Sequence, residues 1–288
     1  MLVLFFILLF ILLLFPEAAA QGSTNGLILW ATVLVPSLLP FSILTSLIRQ
    51  YMKDNPFRYV LLAAGILSGY PIGAKIAGEL YADGSLSHAK ALFFAGFTNN
   101  PSPMFVLFFV AENTLHLGSG RYLFYALLLL SSLLGSLFVC LLTARRREEK
   151  KQPEKNRTPS AEKQSFTAVI DAEISASALL LIKIGGYIML FSIFTTLLAK
   201  LPVVPFHAKL FLGSILEITT GNAMISGAPF SDHIKIILSL AATTFGGLSA
   251  AAQTNSVLQN TGLSIFYYVL MKLCAGLIAL FLGFLIFM

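Results

Sequence analysis

The chain has 288 residues, 57% of them hydrophobic and only 11% charged, with a formal net charge of +6 and a mean hydropathy of +0.85. A soluble domain carries roughly 25% charged residues, and that shortfall excludes a large soluble core. The positive balance does not indicate a nucleic-acid binder, because it is concentrated between Arg145 and Lys163, and basic residues that flank membrane spans report orientation.

Met1 to Phe15 is an unbroken apolar run followed by Pro16-Glu17-Ala18-Ala19-Ala20. The small residues after it suit a cleaved signal peptide. The missing basic n-region argues against one, and a retained first helix over residues 1–20 is the favoured reading. Leu27 to Ile48 is apolar and long enough for a span, which needs about 20 residues. A basic stretch with Arg49, Lys53, Asp54 and Arg58 follows. Tyr59 to Ala82 is apolar but interrupted by Ser68-Gly69-Tyr70-Pro71 and Gly73. Each half is too short to cross a bilayer alone, which predicts a re-entrant hairpin. Such backbone is tolerated at membrane depth only where protein buries it or it lines a cavity. His88 to Ala111 is span-length but broken at Asn99-Asn100-Pro101-Ser102-Pro103, since proline removes a backbone donor. Tyr122 to Leu142 is a clean span, and residues 143–165 form a charged, proline-containing linker predicted to be disordered and exposed. Cys140 and Cys274 lie in apolar spans with no disulfide or metal-ligand spacing, so they read as packing residues.

The second half repeats the pattern. Phe41 to Ile48 parallels Phe191 to Leu198, and Gly65 and Gly73 keep the separation of Gly213 and Gly221. His88-Ala89-Lys90 parallels His233-Ile234-Lys235, with Thr98 and Thr243 following at equal distance. Breaks come next, at Asn99 to Pro103 and at Gly246-Gly247-Leu248-Ser249, and Ser264 to Met288 matches Tyr122 to Leu142. The expected architecture is an all-α polytopic membrane protein of two repeats, 26–142 and 166–288. Each repeat holds one span, one re-entrant hairpin, one broken helix and one closing span. Three crossings per repeat invert the second against the first. The positive-inside rule then places the linker and the Arg49–Arg58 loop in the cytoplasm.

Inverted repeats with paired interrupted helices are a transporter design, with substrate bound near the midplane where helix breaks free N–H and C=O groups. The candidate substrate-binding residues are Ser68, Tyr70, Lys75, Thr98, Asn99, Asn100 and Ser102 from the first repeat. From the second they are Glu217, Thr220, Asn222, Ser249, Gln253 and Asn255, with Thr219 and Thr254 beside them. Lys75 and Glu217 are the ionisable members, and a charge at bilayer centre costs about 2.5–3.5 kcal/mol on insertion scales. Lys75 could bind a substrate carboxylate, pair with Glu217, or snorkel to the interface. The blander readings are helix packing for the glycines, helix capping for Asn99, Asn100 and Gln253, and helix starts for His88 and His233.

The stretches Gly65-Ile66-Leu67-Ser68-Gly69-Tyr70-Pro71-Ile72-Gly73-Ala74-Lys75 and Thr98-Asn99-Asn100-Pro101-Ser102-Pro103-Met104-Phe105 resemble the YlbJ-like sporulation integral membrane proteins. These are grouped with nucleoside-transporter gate domains. Phe245 to Gln253, Leu27-Ile28-Leu29-Trp30 and Pro36 to Phe41 carry the same resemblance. It implies a fold similar to concentrative nucleoside transporters, with hairpin tips and helix breaks of both repeats forming the substrate site. It also implies dipicolinic acid as a solute during sporulation, in a bacterial cell membrane or an outer forespore membrane.

The resulting expectation is a transporter of a small polar or anionic solute, whose partners are that solute and the lipid bilayer. A homo-oligomer is permitted, and no nucleic acid or cofactor is expected. The alternatives are a non-transporting assembly or signalling protein with the linker as its docking segment, and a nucleoside transporter. An intramembrane hydrolase using Ser249 or Ser68 would need a base within hydrogen-bond reach. His88 and His233 are expected at the interface, so the chain does not read as an enzyme. No phosphate-binding loop is visible, which argues against direct ATP drive.

Overall fold

A computed structural model of the chain describes residues 2–51, 59–144, 165–259 and 261–288. Every described element is helical, and the expected all-α membrane architecture is met at that level. Among the described residues, four helical stretches are long and apolar enough to cross a membrane, Gly120–Thr143, Phe166–Lys200, Asp232–Leu258 and Ile265–Phe287. A bent pair, Pro16–Leu34 with Leu38–Ile48, makes a fifth if its two arms count as one span. Most of the basic linker and most of the Arg49–Arg58 loop lie outside the described residues, while Thr143 and Ala144 of the predicted linker continue the preceding helix.

In chain order the helices are α1 (Leu2–Leu14), α2 (Pro16–Leu29), α3 (Val35–Tyr51), α4 (Val60–Ser68), α5 (Ile72–Ala82), α6 (His88–Thr98) and α7 (Gly120–Ala144). The second half holds α8 (Phe166–Lys200), α9 (Phe206–Leu216), α10 (Ile218–Ser226), α11 (Asp232–Phe245), α12 (Gly247–Leu258) and α13 (Ile265–Phe287). Two π-helical stretches, Trp30–Leu34 and Phe105–Thr114, widen the first half locally.

One boundary differs from the sequence reading. The span expected from Leu27 begins at Pro16, and residue 26 lies inside α2. Pro16 sits at the first helical position, where its missing N–H is no loss. The polar run Gln21-Gly22-Ser23-Thr24-Asn25-Gly26 looks like a break but is a packing face. A Cβ on Gly22 would stand 2.6 Å from the Ile193 Cα, and one on Gly26 2.8 Å from the Met189 Cα. Small residues let α2 lie directly on α8, as in membrane helix pairs generally.

The short helices fall where the apolar runs were interrupted. Helices α4 and α5, of 9 and 11 residues, meet at Gly69-Tyr70-Pro71, with Gly69 at φ +89°. Helices α9 and α10, of 11 and 9 residues, meet at Glu217 alone. At 1.5 Å rise per residue neither member of a pair exceeds about 17 Å, well short of a bilayer. In the first half the broken helix is α6 followed by the π stretch, parted around Pro101 and Pro103. Helices α11 and α12 part at Gly246 and Gly247, at φ +86° and +80°. Two prolines and two glycines thus end a helix by different means, a lost donor in one case and a left-handed turn in the other.

Two helix pairs make the most extensive contacts between the halves. Helix α2 packs on α8, and α7 on α13. At the second seam a Cβ on Gly135 would lie 2.6 Å from the Ala275 backbone nitrogen. One apolar cluster, with Leu38, Ile72, Leu92, Ile184, Leu258 and Met271, draws on both halves. A second, with Phe105, Val110, Phe124, Leu128, Ile218 and Leu240, does so as well.

Candidate functional site

The two hairpin tips and the two helix breaks meet around one cavity. Gly69 and Tyr70 come from the first tip, Pro101, Ser102 and Phe105 from the first break, and Glu217 and Thr219 from the second tip. Gly246, Ser249 and Gln253 come from the second break, and Leu29, Leu34, Leu38 and Ile188 close the wall. The cavity volume is about 30 Å³, room for a water or two. A solute would enter only if these elements moved apart.

Helix ends dominate the wall. Helices α5, α10 and α12 and the π stretch start there, while α4, α6, α9 and α11 finish there. Helix termini carry backbone groups with no intrahelical partner, so the cavity is offered both donors and acceptors. Glu217 uses one such start itself. It is 5% exposed, and its Oε1 and Oε2 accept from the backbone N–H groups of Thr219 (2.9 Å) and Thr220 (2.8 Å). That is a carboxylate N-cap, with its charge at the favourable end of the α10 dipole. Across the cavity Gln253 Nε2 donates to Ser249 Oγ at 3.2 Å.

Of the residues singled out from sequence, Tyr70, Ser102, Glu217, Thr219, Ser249 and Gln253 line the cavity, and the others stand behind it. Ser68 and Thr98 donate to the carbonyls of Ala64 and Phe94 one turn earlier. Asn222 donates to Ile218 O and to Thr243 Oγ1, tying α10 to α11. The Thr220 hydroxyl accepts from Thr195 Oγ1 at 3.5 Å, and Asn255 is half-buried along α12. Lys75 Nζ donates to Ser46 Oγ at 3.2 Å. It does not line the cavity, and among the described residues it forms no ion pair with Glu217.

Asn99 and Asn100 have specific structural partners. Asn99 Oδ1 accepts from the Ala74 N–H at 3.2 Å, and its Nδ2 donates to Thr254 Oγ1 and Tyr268 Oη, both at 2.9 Å. One buried amide therefore links α5, α12 and α13 at the first break. Asn100 Nδ2 donates to Phe97 O, while its Oδ1 accepts from Ser132 Oγ and Lys272 Nζ, both at 2.7 Å. Lys272 also donates to Ser132 Oγ at 3.2 Å and is 3% exposed.

Lys272, Tyr268 and Ser132 escaped the sequence reading, which looked for polar groups at the interruptions. Lys272 nevertheless had a signal. It is the one charge in the 23-residue apolar helix α13, and a lone ionisable residue inside a span is a functional-site hypothesis by default. Tyr268 and Ser132 had none, because hydroxyls are common in spans.

Among curated proteins, the chain is similar to the Sporulation integral membrane protein YlbJ of Bacillus subtilis (strain 168). The two are 27% identical over 316 residues, covering 92% of this chain and 76% of the relative. No family model matches the chain, and no solved structure matches it.

Proposed function

We propose that this chain, a YlbJ-like multi-pass integral membrane protein, carries a small polar or anionic solute across the membrane. The solute binds where the two hairpin tips and two helix breaks converge. The observation that carries this reading is the cavity itself. Four helices begin and four end around a buried wall containing Tyr70, Ser102, Glu217, Ser249 and Gln253. A purely structural membrane protein gains nothing from interrupting that many helices in one place, since each freed backbone group costs several kcal/mol in hydrocarbon.

The same order of elements in each half supports two inverted repeats. In each half a long span precedes a short hairpin, a broken helix and a closing helix, and the cross-half seams pair like with like, α2 with α8 and α7 with α13. The hairpin contacts repeat too. A Cβ on Gly65 would meet Gly73 at 2.8 Å, and one on Gly221 would meet Ser214 at 2.6 Å. The gate architecture of nucleoside transporters is the corresponding reading of the fold. Sporulation is the setting the relative's name suggests, and dipicolinate the solute that the resemblance implies.

The test is uptake of radiolabelled dipicolinate by the full chain in proteoliposomes, with unlabelled nucleoside as competitor. Saturable uptake is expected, lowered about tenfold by Gln253→Leu, which removes one buried polar partner worth roughly 1–3 kcal/mol. Competition by nucleoside would move the substrate to that class. Folded protein with no saturable uptake of either would leave a non-transporting assembly role as the better account.

A further inference from the structure

We infer that Lys272 is a specificity-determining residue that sets the charge preference of the solute site through Asn100. This rests on the transport reading above. The ionisable side chains lining the cavity are Glu217 and Tyr70, with no lysine or arginine among the lining residues. Lys75, the cation that the sequence suggested, hydrogen-bonds to Ser46 outside that wall.

Lys272 is held directly behind the first break. Its amine is bound by two neutral acceptors, Asn100 Oδ1 at 2.7 Å and Ser132 Oγ at 3.2 Å, and lies 5.9 Å from the centre of the Tyr268 ring. No carboxylate pairs with it among the described residues. Protonating an amine buried without a counter-ion is expensive, and an anion arriving nearby lowers that expense. The route to the cavity is short. Asn100 is followed directly by Pro101 and Ser102, which line it. At 3.8 Å per Cα step, Lys272 Nζ lies within about 12 Å of the wall. A unit charge at that distance, at an effective dielectric constant of about 20, changes anion affinity on the order of tenfold. Ser132 and Asn100 fix the amine on this side of α13, which makes Lys272 a positioning charge and not a solute contact.

The experiment compares binding of pyridine-2,6-dicarboxylate with that of its neutral diamide, which has the same shape, to the full chain in detergent. Wild type should favour the dicarboxylate. In Lys272→Met that preference should fall about tenfold or more, with diamide binding unchanged, and Lys272→Arg should restore it. Asn100→Asp is the second variant. It sets a carboxylate against the amine at the same position and should lower the preference likewise, even where Lys272→Met does not fold. An unchanged dicarboxylate-to-diamide ratio in a folded variant, or a wild type that favours the diamide, overturns the inference. Wild type that binds neither compound overturns the solute site itself, which is a separate result.

Discussion

Replacing Asn99 with leucine is expected to lower stability by roughly 2–4 kcal/mol, the largest loss from any single polar side chain near the cavity. Its amide makes three buried hydrogen bonds, from the Ala74 N–H and to Thr254 and Tyr268. Polar contacts between membrane helices average about 0.6 kcal/mol each. The Ala74 N–H, buried at the start of α5, would in addition be left without its acceptor, at about 1–3 kcal/mol. The melting temperature of the purified chain should fall clearly. Tyr268→Phe alone should cost about 1 kcal/mol or less, and combined with Asn99→Leu it should add less than its separate effect, because the two share one bond. Full additivity would show that the Asn99–Tyr268 contact contributes nothing. An unchanged melting temperature for Asn99→Leu would remove the amide's role as a junction between the halves.

Gly73→Ala is the second large effect expected, from one added methyl group. A Cβ there would stand 2.5 Å from the Thr98 carbonyl oxygen and 2.7 Å from its carbon. Both are backbone atoms of the first break, so no side chain can rotate away. Overpacking of this kind costs about 1–3 kcal/mol, and relief requires α5 to move off the break, disturbing the Ala74–Asn99 bond as well. Solute uptake should fall with it, since the hairpin tip and the break both line the cavity. Gly186→Ala is the control, because a Cβ there meets nothing within 4 Å, and removing a helix-interior glycine favours the helix by up to about 1 kcal/mol. Equal melting temperatures for the two variants would contradict the tight hairpin seam.

These residues mark how far the sequence could be read. Composition and apolar run length were sufficient for an all-helical chain with several spans, because a bilayer imposes length and polarity on every segment that crosses it. Local chemistry also exposed the interruptions. Gly69 to Pro71, Pro101 with Pro103, and Gly246 with Gly247 cannot continue a helix, and the structure breaks at each of them. Glycine was harder to interpret. Gly22 and Gly26 sit in a polar run that resembles a loop, yet they form a helix face against α8, and only the partner's position distinguishes the two.

Side-chain partners were decided by the tertiary structure. The sequence makes Ser102 and Asn100 near neighbours, but one faces the cavity and the other faces α7 and α13. Lys75 was conspicuous beside the Gly/Pro tip, while Lys272 lay unremarked in an apolar helix, and it is Lys272 that is buried behind the break. Helix type, span length and break points follow from forces acting within about ten residues of chain. Which polar groups meet across 150 or more residues depends on how α7 and α13 pack, and the close approach at Gly135 and Ala275 fixes that seam.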